Sequence, residues 1–222
     1  MSQGVYKITE QFEEEIARYT GAPYVCCVDS ASNALFLCLL YSNVKDIEIT
    51  IPSHTYMSIP NEIIRAGGKV KFRPSPEILY GEYQLKPTII WDSALHFTAD
   101  MFRPGMLQCL SFTGPYKILS ISKGGAVLSD DIEFINWARK ARFSGRSEMD
   151  YHEEKIFNQL GFNMYLLPEL AVRGLLMMKH FWDFKGNKIP QEDRAIPYPD
   201  LSLSRIYTHP EEYDRCSYWK NL

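Results

Sequence analysis

The sequence predicts an α/β fold, a mostly parallel sheet flanked by helices and followed by a C-terminal arm. Two observations carry the fold class. Short apolar runs alternate with helical patterns through the first half of the chain, the order that places a parallel sheet between helices. Several of those runs end in small or polar residues, where an open sheet delivers ligand-binding side chains. A third observation sets the domain boundary. From Lys185 onward the composition shifts to Pro, Asp, Tyr and charge, with no internal repeat. The expected division is a large domain over residues 1–184 and an extended arm over residues 185–222.

The elements follow in order. Thr9–Tyr19 reads as an amphipathic helix with Phe12, Ile16 and Tyr19 on one face, Thr9 as N-cap and Gly21 as stop. Tyr24–Val28 reads as a buried strand. It ends in Asp29-Ser30-Ala31-Ser32-Asn33, and Ala34–Tyr41 continues as an apolar helix. Ile47–Pro52 is a strand, and Ile59–Ala66 a helix capped by Ser58. Lys69–Phe72 is a third strand, Ser75–Gln84 a loop, and Pro87–Trp91 a fourth strand that delivers Asp92. Gln108–Phe112 and Ala126–Ser129 are strands on either side of Lys117. Asp131–Arg142 and Pro168–Phe184 are helices, and Phe143–Asn158 between them reads as a mobile loop.

Composition narrows the function classes. A 222-residue chain with 45% apolar residues can bury a sizeable core. Its net charge of −3 argues against a general nucleic-acid partner. The five cysteines (Cys26, Cys27, Cys38, Cys109, Cys216) are odd in number, follow no metal-ligand spacing and read as core thiols of a reducing compartment. The five histidines show no paired metal spacing, and there is no dinucleotide fingerprint or Walker motif. Met1–Thr9 is polar and no apolar run reaches membrane-spanning length, so a soluble cytoplasmic protein with no membrane partner is expected.

The chemistry centres on Ser111–Asp130. Lys117 follows a buried strand. A desolvated lysine has a lowered pKa, becomes nucleophilic and can form a Schiff base with an aldehyde. Three other features suit the same cofactor, pyridoxal phosphate. The Ala31-Ser32-Asn33 turn offers free N–H groups at a helix start for a phosphate. Tyr56 offers a ring for stacking. Asp92 offers a carboxylate that keeps a pyridine nitrogen protonated, so that the ring acts as an electron sink.

The order of these blocks resembles the DegT/StrS family of nucleotide-sugar aminotransferases, over roughly Val5 to Leu176. Phe12–Gly21 is similar to that family's first helix, and Val28-Asp-Ser-Ala-Ser-Asn-Ala-Leu35 to its phosphate turn. Ile51–Tyr56 with Asn61 and Ala66–Gly68 resembles the block of the stacking aromatic, and Trp91-Asp-Ser-Ala94 that of the aspartate. Ser111-Phe112, Lys117 and Gly124-Gly125 resemble the lysine block. Leu160-Gly-Phe-Asn163 resembles the block whose asparagine reaches the phosphate in the partner subunit.

The resemblance implies an aspartate-aminotransferase-like fold, pyridoxal 5'-phosphate as cofactor, and a homodimer. It implies transfer of an amino group from an amino acid such as glutamate to a nucleotide-linked keto sugar. Lys117 and Asp92 are the implied catalytic residues. Ala31, Ser32, Tyr56, Asp92, Ser111, Thr113, Lys117 and Asn163 are the implied cofactor ligands, with Ser111 and Thr113 as alternatives at one phosphate contact. Departures from the family pattern are Leu95, followed by His96, where His or Gln is usual; one extra residue between Ser111 and Lys117; Lys123 before Gly124-Gly125; and Tyr165 in place of arginine. The chain also stops near the start of the family's C-terminal domain. The second reading is therefore a degenerate member that serves as a binding or assembly module or is completed by a partner.

Overall fold

The computed structural model describes residues 4–79, 81–115, 117–147, 156–183 and 197–212. Helix α1 (Gly4–Thr20) leads to strand β1 (Tyr24–Val28) and helix α2 (Ala31–Tyr41). Strand β2 (Glu48–Pro52), helix α3 (Ser58–Arg65) and strand β3 (Lys69–Arg73) follow. Strands β4 (Tyr83–Gln84), β5 (Ile90–Asp92), β6 (Leu107–Ser111) and β7 (Gly125–Ser129) come next. Helices α4 (Ile132–Ala141), α5 (Pro168–Asp183) and α6 (Arg205–Thr208) complete the described elements, with short 3-10 turns on both sides of α6.

The α/β class with flanking helices is as the sequence predicts, and the sheet is mixed in its pairing. Its order is β1-β7-β6-β5-β4, with β2 and β3 forming a separate parallel pair. Only β5 and β6 pair in parallel within the five strands, because β7 returns antiparallel between β1 and β6. β4 is antiparallel to β5, and an antiparallel bridge from Thr50 to Lys86 ties β2 to the strand end beyond β4. Among the described strands β1, β2, β3, β5 and β6 thus share one direction, while β4 and β7 run against it. A 13-residue connection from β6 to β7 needs no crossover helix, so the return strand can pair next to its predecessor.

Side-chain alternation along the strands feeds two cores, one on each face of the sheet. Cys26, Val28, Leu107, Cys109 and Val127 face α2 and α4, together with Leu35, Leu37 and Phe134. Val25, Cys27, Leu110, Ala126 and Leu128 face the other side, with Phe12 and Ile16 of α1 and Met178 of α5. A Cβ added at Gly174 would lie 2.4 Å from the Phe12 ring, so glycine permits the close approach of α5 to α1.

A buried ionic cluster joins α1, β1 and α4. Glu13 Oε1 accepts from the Cys27 amide at 2.8 Å and from Arg142, whose side chain is fully buried. Glu13 Oε2 accepts from Arg139 Nη2 at 2.8 Å, and Arg142 Nη1 donates to the Cys27 carbonyl at 2.6 Å.

Several sequence expectations are corrected. Thr9 is not an N-cap: α1 begins at Gly4, and Thr9 is buried within it. Ser58 does not cap α3, which starts from Met57 without a side-chain cap bond. The loop assigned to Ser75–Gln84 contains β4, two residues held by pairing Tyr83 with Asp92 and Gln84 with Trp91. Ser30 caps α2, so this helix starts three residues before the expected Ala34. Of the arm, residues 197–212 pack near β2, α3 and β3, with Leu201 buried and the Tyr207 ring 6.4 Å from Phe72. Residues 185–196 and 213–222, and 148–155 of the loop expected to be mobile, lie outside the described residues.

Candidate active site

The site is assembled from strand ends. β1 stops at Val28, and the chain turns through Asp29 and Ser30 into α2. Ser30 Oγ accepts from the Asn33 amide at 3.2 Å, and Asp29 Oδ1 accepts from Asn33 Nδ2 at 2.6 Å. The first helical bond runs from Ala34 N–H to the Ser30 carbonyl, so the helix itself does not use the amides of Ala31 and Ser32. A Cβ at Gly125 would stand 2.4 Å from Ala31 N, so β7 presses directly on this turn and only glycine fits.

β5 ends at Asp92, whose side chain is buried. Its Oδ1 accepts from the Ala94 amide at 3.0 Å. The hydroxyl of Tyr83, opposite in β4, hydrogen-bonds the same carboxylate and lies 2.6 Å from Thr55 Oγ1. Burial raises the Asp92 pKa above the ordinary aspartate value, against the lowering effects of Ala94, Tyr83 and Lys117. Lys117 Nζ donates to the Ala94 carbonyl at 2.6 Å. Burial lowers its pKa, and the Asp92 charge opposes that shift. Residue 94 therefore meets both groups, its amide on the carboxylate and its carbonyl on the amine.

The connection bearing Lys117 is closed at its base. Phe112 N–H donates to the Gly124 carbonyl at 2.9 Å, and Ile121 N–H to the Phe112 carbonyl at 3.1 Å. Thr113 Oγ1 donates to the Gly124 carbonyl at 3.2 Å and accepts from the Gly124 amide at 3.1 Å. The Thr113 hydroxyl is thereby committed to the backbone.

These groups share one cleft of about 770 Å³. Ala31, Ser32, Tyr56, Asp92, Ser111, Thr113 and Lys117 all line it, so seven of the eight expected cofactor ligands come together. Asn163 does not line it; that residue is exposed and its backbone bridges to Phe143. Leu95 lines the cleft, whereas the neighbouring His96 does not. Sequence reasoning missed Tyr83, Thr55 and Tyr198 as parts of the site. For neither Tyr83, in a two-residue strand, nor Tyr198 does anything local mark the residue. Among the described residues no group of three or more His, Cys, Asp or Glu could hold a metal ion, and no helix is long and apolar enough to cross a membrane.

The fold that brings Lys117, Asp92 and the helix-start turn to one cleft is one that known proteins share. Residues 2–79 match the model of the DegT/DnrJ/EryC1/StrS aminotransferase family. Among solved structures, a DegT DnrJ EryC1 StrS aminotransferase from Brucella abortus superposes with a TM-score of 0.64 at 18% identity, over 79% of this chain and 59% of that one. DesV from S. venezuelae, solved with a ketimine intermediate, gives 0.63 at 20% identity over 81% and 58%. The ntda protein of Bacillus subtilis, solved with bound PMP, gives 0.64 at 20% identity over 78% and 48%. No curated protein matches the sequence. Over residues 2–79 the chain is thus similar to the DegT/DnrJ/EryC1/StrS aminotransferase family, the resemblance its sequence blocks carry, and its fold is that of these solved structures. It spans less than three-fifths of the length of these three structures.

Proposed function

We propose that this chain is a pyridoxal-phosphate-dependent aminotransferase that moves an amino group from an amino acid such as glutamate to a nucleotide-linked keto sugar. The observation that carries the reading is the convergence of Lys117, Asp92 and the Ala31–Ser32 turn on one cleft. The residues fit the cofactor. The cleft lies within the range of small-molecule sites. Two helix-start amides are left for a phosphate, and a buried carboxylate and an amine sit at strand-end positions. When bound, the cofactor supplies an electron sink for charge developing at the donor's α-carbon.

Each residue then has a task. Ala31 and Ser32 donate backbone N–H groups to the phosphate. Ser111 Oγ adds a hydroxyl donor, because the other candidate, Thr113, is held by both backbone groups of Gly124. Tyr56 covers one face of the ring. Asp92 accepts the proton-bearing pyridine nitrogen, oriented by Ala94 N–H and the Tyr83 hydroxyl. Lys117 Nζ attaches the cofactor, and as a free amine it takes the proton from the donor's α-carbon; its lowered pKa enlarges the neutral fraction that does so. Asn163 serves the cleft of a second copy in a homodimer. Its exposure, and its place outside the chain's own cleft, support that assignment.

The test is covalent labelling. Borohydride reduction of the protein loaded with pyridoxal 5'-phosphate should attach the cofactor to the peptide carrying Lys117, and Lys117→Ala should lose the adduct entirely. Labelling elsewhere with Lys117 unmodified would replace the catalytic reading with that of a non-catalytic binding or assembly module.

A further inference from the structure

The segment after Pro197 enters the site from far along the chain. Tyr198 N–H donates to the Glu77 carbonyl at 3.1 Å, and Pro197 bridges to Ile78. On the other side Leu201 N–H donates to the Ser53 carbonyl at 2.9 Å, Asp200 bridges to His54, and the Leu201 side chain is buried. Residue 198 is therefore pinned from both sides. The prolines that flank it, Pro197 and Pro199, restrict the backbone further. All three residues line the cleft.

Tyr56 needs such a neighbour. It follows β2 on a loop and is 52% exposed, so its own surroundings fix its ring weakly. Among the described residues the one ring that meets it is Tyr198, with centroids 6.4 Å apart and planes at 68°, an edge-to-face arrangement. Burial, and after it the neighbouring Asp92 carboxylate, push the Tyr198 pKa up to about 12.

We infer that Tyr198 is a positioning residue of the cofactor cleft, whose ring buttresses Tyr56 so that Tyr56 presents its face to the cofactor ring. The inference rests on the cofactor reading above. It also gives the 197–203 segment a role in the site in addition to covering the surface of β2 and β3.

The experiment titrates the full chain with pyridoxal 5'-phosphate, following visible absorbance for affinity and induced circular dichroism for ring orientation. Tyr198→Phe keeps the ring and should bind as the wild type does. Tyr198→Leu should weaken binding roughly two- to ten-fold, the range an edge-to-face ring pair accounts for, and should reduce the induced signal. In a Tyr56→Leu background, Tyr198→Leu should add no further loss, because the two rings act as one unit. Independent, additive losses would overturn the proposal, as would wild-type affinity and dichroism in Tyr198→Leu. A wild-type protein that takes up no cofactor would overturn the cofactor reading and this inference together. Normal wild-type uptake with an unaltered Tyr198→Leu variant would remove this inference alone.

Discussion

Glu13 and Asp92 are both buried carboxylates, and their surroundings differ. Glu13 is met by two guanidinium groups and a backbone amide, within the packing of α1, β1 and α4. Asp92 is met by a neutral hydroxyl and one amide, while the nearby Lys117 amine that acts on its charge is bonded to the Ala94 carbonyl. The first cluster has its charge matched by neighbours and touches no cleft. The second is left incompletely matched by the protein alone and opens onto a cavity. Complete pairing suits a carboxylate that holds the fold together, whereas incomplete pairing beside a cavity is what the proposed cofactor role of Asp92 calls for.

The sharpest way to break this contrast is to remove a partner from each cluster. Arg142→Ala strands Glu13 in the core and should cost about 3–5 kcal/mol of unfolding free energy, read as a lowered urea midpoint. Borohydride labelling of Lys117 in the surviving folded fraction should be unchanged. Asp92→Asn should do the reverse. It should leave cofactor uptake largely intact and slow the half-reaction with glutamate by about 10²–10⁴-fold, measured by stopped-flow decay of the cofactor's visible band.

A smaller effect concerns pH. The folded protein holds a proton on Asp92 at pH values where the unfolded chain has released it. As pH rises through that window the unfolded state is favoured, and the stability contributed by protonated Asp92 is lost. Asp92→Asn has no charge to bury. It should therefore be more stable than the wild-type cofactor-free protein at pH 7, and the difference should vanish as pH falls below the ordinary value of 3.8. Equal pH dependence of the two urea midpoints would refute the assignment. The smallest effect separates the two hydroxyls near the phosphate turn. Ser111→Ala should weaken cofactor affinity by about 1 kcal/mol, one hydrogen bond's worth, with an unchanged urea midpoint. Thr113→Ala should lower the midpoint, because it removes the latch on Gly124.

What was legible in the sequence follows the range of the signals. β1 was readable to the residue, because its apolar run is bounded by a turn, and α4 was readable because Asp131 caps it with bonds to Glu133 and Phe134. Seven cleft residues were legible as ordered blocks, each sitting where a strand ends. Thr9 misled because threonine before an acidic run resembles a cap, yet the helix already runs from Gly4 and Thr9 is buried within it. β4 was missed because two paired residues have no periodicity of their own. Tyr83 and Tyr198 were missed because each is brought to the cleft by tertiary structure, across a sheet register in one case and along a returning segment in the other.

The contact between Gly125 and Ala31 has a mechanical consequence. β7 leans on the helix-start turn with no side chain between, and the residue before Gly125 latches the base of the lysine connection. The turn and the lysine connection are therefore braced against the same two residues. Lys117 works as on a short tether: its long side chain supplies the reach, while the backbone that carries it is moored to the wall that bears the helix-start turn.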